Sequence, residues 1–201
     1  MPLSKRLFDI MLSALLLMLL WPVLAVVAVI VALSDGRPIL FVSERMKTPC
    51  TGFGLIKFRT MIDAGADSGV SGGDKVERMI RYGAILRRTR LDELPQLWNV
   101  LRGDISLVGP RPPLRQYVEK FPDLYTRVLR SRPGITGLAT LYFHTHEELL
   151  LEKSRSAAET DAIYSRACVP RKARIDLIYQ THRSLCFDAR ILLVTLLCKM
   201  R

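Results

Sequence analysis

Two adjacent carboxylates, Asp92 and Glu93, follow the arginines Arg87, Arg88 and Arg90 in the stretch LRRTRLDELPQLWNVLRGDISLVGPRPP, and Arg111 stands between prolines near its end. A carboxylate can attack phosphorus directly and form an acyl phosphate, which divides one hard displacement into two easier ones. A neighbouring carboxylate can accept a proton or share a divalent metal, provided cations offset the repulsion. Leu94, Leu97, Trp98 and Leu101 follow at helical spacing and give one apolar face, so Asp92 reads as the N-cap of a short helix that ends at Gly103. Unpaired N–H groups and the helix dipole favour negative charge there, and the same place attracts a phosphate. Arg111, pre-set by Pro110 and Pro112, would offer a guanidinium to phosphate oxygens. An acid pair in isolation is most often a cap and a surface acid, and a lone arginine is most often solvated. The weight therefore falls on the rest of the chain.

The elements that must position these groups begin with an uncharged run over residues 10–33, IMLSALLLMLLWPVLAVVAVIVAL. It is long enough to span a bilayer and too long for the apolar part of a secretory signal. Pro22 sits near its centre, where it removes a backbone donor and kinks or breaks the helix. Two topologies fit, a kinked spanning helix and a re-entrant hairpin. Lys5 and Arg6 precede the run, and Arg37, Arg45 and Lys47 follow it, so the charge rule leaves both ends cytoplasmic and favours the hairpin. The 201 residues carry 30 Lys and Arg against 19 Asp and Glu, a net charge of +11, which favours an anionic partner. Four separated cysteines make no CxxC pair, so they read as reduced thiols with neither a disulfide framework nor a zinc site.

Past the membrane run, ILFV reads as a short strand and TGFGLIKFRTM as a second apolar run carrying Lys57 and Arg59. Residues 63–75, rich in Gly, Ser and Asp, read as an exposed loop without a phosphate-loop pattern. Residues 76–88 read as helix, ISLVG as extended and GPRPP as a stiff turn. SRPGITGLA reads as turn-rich, and residues 144–175 as a charged helical section. The tail, SLCFDARILLVTLLCKM, has an apolar face broad enough to be buried or to lie on a membrane. The fold class expected is α/β, mostly α with a small sheet. A re-entrant membrane helix-break-helix over residues 1–36 would precede a compact catalytic domain over residues 37–201 with amphipathic interfacial helices.

Taken in order, KRLFDI with its apolar run, IKFRTM, the central block ending in GPRPP, RPGITGLA and DLIYQTHRSLCFDARILLVTL resemble the bacterial sugar transferases, the polyprenyl-phosphate hexose-1-phosphate transferases or monotopic phosphoglycosyl transferases. The match spans nearly the whole chain and looks like a small, minimal member. The resemblance implies transfer of a sugar 1-phosphate from a UDP-sugar donor to a polyprenyl phosphate acceptor such as undecaprenyl phosphate, with release of UMP and a requirement for Mg2+. It implies Asp92 as nucleophile and Glu93 as acid/base or metal-supporting partner, the two together holding the metal. It places Lys57, Arg59, Arg87, Arg88 and Arg111 near phosphates, and Arg132 and Thr136, within RPGITG, at the donor site. It further implies membrane-lipid contact at the cytoplasmic face of the bacterial inner membrane, and a place in exopolysaccharide or lipopolysaccharide synthesis. In the family the helix breaks at a Ser-Pro step; here the step is Trp21-Pro22, and Ser13 is the candidate to serve the freed carbonyls. The stretch 140–173 looks inserted, and His144 and His146 within it read as packing or surface residues. A homodimer is left open, as is the sugar.

Two other readings compete. A membrane-anchored basic adaptor that binds lipid headgroups or nucleic acid would explain the charge. It would not explain LDELPQL together with GPRPP, and the interleaved aromatics of nucleic-acid binders are missing. A metal-dependent phosphatase or nucleotide-sugar hydrolase would release UMP without the lipid acceptor.

Overall fold

The computed structural model describes residues 1–62 and 78–198, so the loop expected at residues 63–75 lies outside the described residues. Helix α1, Leu3–Asp35, runs without interruption through Pro22 and ends at Gly36, whose φ of 69° only glycine adopts readily. The expected break is therefore not a gap in the helix. Ser13 does not serve the proline either, because its buried hydroxyl has no hydrogen-bond partner among the described residues.

Strands β1, Leu40–Met46, and β2, Gly52–Phe58, form an antiparallel hairpin with Phe41 opposite Lys57. Of the expected helix over residues 76–88, residues 76 and 77 lie outside the described residues, and the described part is helical from Gly83. Before it, Met79 bridges to Met61, and the Ile80 amide donates to the Thr60 carbonyl, so this segment pairs with the chain leaving β2 instead of coiling. Helices α2, Gly83–Thr89, and α3, Gln96–Arg102, flank a 3-10 turn over Leu91–Glu93. Short parallel strands β3, Ser106–Val108, and β4, Gly134–Thr136, make a second sheet, so RPGITG holds a strand where a turn was expected. Helices α4, Arg115–Lys120, and α5, Pro122–Val128, lie between them. Helices α6, Leu138–Leu151, α7, Ala157–Ile163, and α8, Val169–His182, follow, with a π-helical turn over Tyr164–Cys168 joining the last two. Helix α9 is Leu185–Cys198. The result is mostly α with two small sheets.

Both halves of α1 belong to the core. Phe8, Leu12, Leu16 and Leu17 pack on the cluster of Leu97, Val100, Ile105 and Tyr179, while Val27 and Val31 are buried with Phe58, Ile80 and Leu86. Between them Leu15, Met18, Leu19 and Trp21 are exposed. The N-terminal contact is ionic as well as apolar. Lys5 donates to Asp188 of α9 and, at 3.1 Å, to the Val108 carbonyl, and Asp188 also accepts from the Tyr179 hydroxyl at 2.7 Å. Arg6 donates to the Val100 and Leu101 carbonyls, at 2.6 and 2.7 Å, and so satisfies acceptors at the C-terminal end of α3. Helix α9, expected either to bury its apolar face or to lay it on a membrane, buries Ile191 on this core and leaves Leu193, Leu196 and Leu197 exposed.

Removing one partner of a buried ion pair strands the other charge, whereas replacing both is far milder. Lys5→Met is expected to cost about 3–5 kcal/mol, a fall on the order of 10 °C in Tm for a chain of this size. The double variant Lys5→Met/Asp188→Asn is expected to lose less than Lys5→Met alone. Thermal unfolding in detergent checks this, and a double variant worse than the single would contradict it.

Candidate active site

Asp92 sits inside the 3-10 turn and makes no cap; the residue before α3 is Pro95. The chain enters this turn through Arg90, the only non-glycine residue with positive φ among the described residues, at 58°. That left-handed residue ends α2, costs about 1 kcal/mol or more, and is tolerated where the surroundings over-determine it. The inward face of α3 is Gln96, Leu97, Asn99 and Val100, and Trp98 is 54% exposed. The apolar face expected from Leu94, Leu97, Trp98 and Leu101 is therefore rotated, because the helix begins at Gln96.

Three fixtures bring the charges together. Asn99, fully buried, donates to the Gly54 carbonyl at 2.8 Å and accepts from the Ile56 amide at 3.0 Å, which locks β2 and Lys57 to α3. Arg111 donates to Glu93 at 2.9 Å, and Arg90 donates to the other Glu93 oxygen at 3.3 Å. Finally, Gly109, Gly134 and Gly137 bring two backbones into direct contact: a methyl on Gly109 would strike the Arg132 carbonyl, and one on Gly137 the Gly109 carbonyl. The Gly109 amide donates to the Thr136 carbonyl and the Gly134 amide to the Pro110 carbonyl, at 2.9 and 2.8 Å. RPGITG thus fixes the backbone that presents Arg111.

These groups line a cleft of about 810 Å³ that includes Lys57, Arg59, Arg87, Arg90, Asp92, Glu93 and Arg111. Of the residues expected at the site, Arg88, Arg132 and Thr136 are not in its lining. Arg88 is exposed on α2, Arg132 lies by Gly103, and the Thr136 hydroxyl pairs with Thr195 of α9 at 2.9 Å. The lining adds residues that the motifs did not single out: Arg45, Glu147, Tyr164, Lys172 and Asp176, together with His144, which was read as a packing or surface residue.

The two adjacent carboxylates differ sharply. Burial pushes the Asp92 carboxyl up to about 6, the Glu93 charge adds to the rise, and Lys57, Arg87 and Arg111 pull against it. Asp92 Oδ1 is buried without a hydrogen-bond partner among the described residues. Burial opposes the Glu93 charge too, but Arg111 and Arg90 outweigh it and hold that carboxyl at about 2. Burial, reinforced by Arg45, Arg87 and Arg111, brings Lys57 down to about 8. The arrangement is a buried anion with one open oxygen, facing cations that could bind and neutralise phosphate oxygens.

For a divalent metal, Asp92 fits and Glu93 does not. Both Glu93 oxygens accept from guanidinium groups, whereas Asp92 Oδ1 is open. No group of three or more metal-ligating side chains occurs among the described residues.

The sign of each shift gives opposite expectations for stability. A raised carboxyl opposes folding at pH values above its unfolded value, fully so above about 6 for Asp92. A lowered one supports folding and loses that support only as pH falls from the ordinary 4.5 towards about 2, as for Glu93. In metal-free protein near pH 7.5, Asp92→Asn is expected to gain up to about 3 kcal/mol and Glu93→Gln to lose about 3 kcal/mol or more. Denaturant or thermal unfolding of the pair checks this, and equal signs would contradict it.

Residues 2–201 match the family described as bacterial sugar transferase. The UDP-glucose:undecaprenyl-phosphate glucose-1-phosphate transferase of Klebsiella pneumoniae is 38% identical over 166 residues, 81% of this chain and 36% of that protein. An uncharacterized sugar transferase of Bacillus subtilis (strain 168), EpsL, is 39% identical over 137 residues, 68% of this chain and 67% of its own length. The exopolysaccharide production protein ExoY of Rhizobium meliloti (strain 1021) is 34% identical over 151 residues, 67% of each chain. The chain spans 36% of the long relative and 67% of the two shorter ones.

Proposed function

The chain belongs to the bacterial sugar transferase family, and on that premise we propose that it transfers a sugar 1-phosphate from a UDP-sugar to polyprenyl phosphate and releases UMP. Relatives named for this transfer to undecaprenyl phosphate support the reaction class. The observation that carries the mechanism is the open, buried Oδ1 of Asp92 among Lys57, Arg87 and Arg111.

Asp92 attacks the sugar-bearing phosphorus, a new carboxylate O–P bond forms, and the bond to the UMP oxygen breaks, so UMP leaves with the electron pair. A phosphate oxygen of the polyprenyl phosphate then attacks the same phosphorus. The Asp92 O–P bond breaks and the carboxylate returns. Arg111, Arg87 and Lys57 balance the charge carried by the phosphates through both steps. Glu93, held ionised by two guanidinium groups, suits a fixed anion that orients Arg111 and Arg90 better than a proton donor. Asp92 is the residue here that would help hold a Mg2+, which would supply withdrawal of charge from the reacting phosphoryl group.

The membrane reading is re-entrant: both ends of α1 and the catalytic body lie at the cytoplasmic face of the inner membrane. The docking of Lys5, Arg6 and Asp9 at one end, and of Val27 and Val31 at the other, on a single body supports it. A spanning α1 would put Lys5 and Arg6 across the hydrocarbon from the body, torn from their partners. The apolar lip of Phe41, Val42 and Ile62 on the same cleft as Lys57 would let a lipid phosphate reach Asp92 without leaving the interface. The pathway that fits is assembly of a membrane-linked glycan such as an exopolysaccharide.

With UDP-sugars and undecaprenyl phosphate, detergent-solubilised protein is expected to release UMP. Asp92→Asn abolishes turnover, Glu93→Gln lowers it by roughly a hundredfold, and excess EDTA stops it until Mg2+ is added back. Sustained multiple-turnover UMP release without the lipid would point to a hydrolase, and near-normal turnover by Asp92→Asn would remove it as nucleophile.

Topology has its own test. A cysteine at Ser4, in a background without the native cysteines, is expected to resist an impermeant thiol reagent outside cells and to react in inverted vesicles. Labelling from outside would overturn the hairpin.

A further inference from the structure

Helices α6 and α8 form a wall of the cleft that the transfer chemistry above does not use. Thr140, His144, Glu147 and Leu151 of α6 line it, and so do Val169, Lys172, Ala173 and Asp176 of α8. The α8 residues follow the i, i+3, i+4, i+7 stripe of a buried helix face, yet two of the four are charged. Burying a lysine and an aspartate where apolar residues would pack costs several kcal/mol unless each is partnered. Lys172 is partnered: its ammonium donates to both Glu147 oxygens, at 3.0 and 2.8 Å, and to the Tyr164 hydroxyl at 3.3 Å. Asp176 is not. It is only 7% exposed, it lines the cleft, and no hydrogen-bond donor reaches it among the described residues. Burial accordingly pushes its carboxyl up to about 7, with Lys172 only partly opposing the rise.

The wall adjoins the reacting centre. Glu147 and Tyr164 act electrostatically on Arg111, which is itself bonded to Glu93, and His144 feels both Arg90 and Arg111. Burial and those cations hold His144 down at about 4, so near neutral pH it is an uncharged hydrogen-bonding group. Tyr164 opens the π-helical turn, a local irregularity that often marks a functional position, and its ring lies 5.2 Å from the Lys172 ammonium. Carboxylates, a neutral imidazole, an ammonium and an aromatic ring are the groups that hold a polyhydroxylated ring. In a UDP-sugar, the phosphate attacked by Asp92 carries the sugar directly, while the nucleoside is one phosphate further away.

We propose that the α6–α8 wall, with Asp176, Glu147, Lys172 and His144, is the subsite that reads the hydroxyl groups of the donor sugar and so selects which sugar 1-phosphate is transferred. Asp176 accepts from a sugar hydroxyl that takes the place of its missing donor, and the Glu147–Lys172 pair holds the wall in register beside Arg111. The inference rests on the transferase reading and gives His144, Glu147 and Lys172, within the stretch 140–173, a role in specificity beside Asp176.

The test is a panel of UDP-glucose, UDP-galactose, UDP-N-acetylglucosamine and UDP-N-acetylgalactosamine with undecaprenyl phosphate. It is read as kcat/KM for UMP release by the unaltered protein, Asp176→Asn and Glu147→Gln, with the inhibition constant for UMP measured alongside. Asp176→Asn removes a buried charge that has no donor, so its Tm is expected to stay level or rise, which keeps the variant folded for the assay. A hydroxyl-reading group left without its match changes discrimination by tenfold or more. Asp176→Asn is therefore expected to change the ratio of kcat/KM between the best and second donors by about that factor, with UMP inhibition unaltered. Glu147→Gln is expected to shift the same ratio in a protein that unfolds as one transition. Unchanged ratios in both variants would overturn the proposal. So would a uniform loss on all four donors with weaker UMP inhibition, which would assign the wall to the nucleotide. Failure of the unaltered protein to release UMP from any donor would instead strike the transferase reading itself.

Discussion

Glu93 accepts from Arg111 at 2.9 Å and from Arg90 at 3.3 Å, and the other charges of the cleft are arranged around that bridge. Two carboxylates side by side in a buried turn cannot both be neutralised by the same cations. Glu93 takes the two guanidinium groups in direct contact and stays ionised. Asp92 keeps an oxygen without a hydrogen-bond partner among the described residues and answers to Lys57, Arg87 and Arg111 through space. The difference between an anchoring anion and a reactive one thus comes from hydrogen-bond partners, since the residues are neighbours and nearly the same in kind. Asn99 and the glycine junction at Gly109 serve this division by fixing Lys57 and Arg111 on either side of it.

The long apolar helix α1 is part of the same construction. Arg6 satisfies carbonyls of α3, the helix that follows the catalytic turn, and Lys5 and Asp9 hold β3, from which the chain runs on to Arg111. A displacement of α1 would be felt at the cleft through one short helix and one short strand. In the proposed reaction between a water-soluble donor and a lipid phosphate, coupling α1 rigidly to Asp92 would set the depth at which the two meet.

Much of this was legible in the chain. The strand begun by ILFV, the left-handed close of α3 at Gly103 and the strand in ISLVG follow from local pattern and turn chemistry, whereas the pairing of β1 with β2 was not read. The acid pair and its arginines were visible as a cluster. The reading of Asp92 as a cap failed because Pro95 suits the start of a helix, which puts the cap three residues on and leaves Asp92 in the turn before it. The helix expected before Gly83 failed because backbone pairing with Thr60 and Ile62, distant in sequence, outweighed local propensity. Arg132 and Thr136 were placed at the donor site by their motif, but its glycines show that the segment acts through backbone contact. The α6–α8 wall carried no short signature, since Glu147 and Asp176 meet the cleft only once two helices are packed together.

The most direct measurement of the central claim is intact-protein mass spectrometry after incubation with a UDP-sugar in the absence of polyprenyl phosphate, followed by peptide mapping. An attacking Asp92 gives an adduct of one sugar phosphate per chain, located on the peptide containing Asp92, absent from Asp92→Asn and discharged when the lipid acceptor is added. Lipid-dependent product formation with no adduct under any donor, or an adduct that persists in Asp92→Asn, would contradict it.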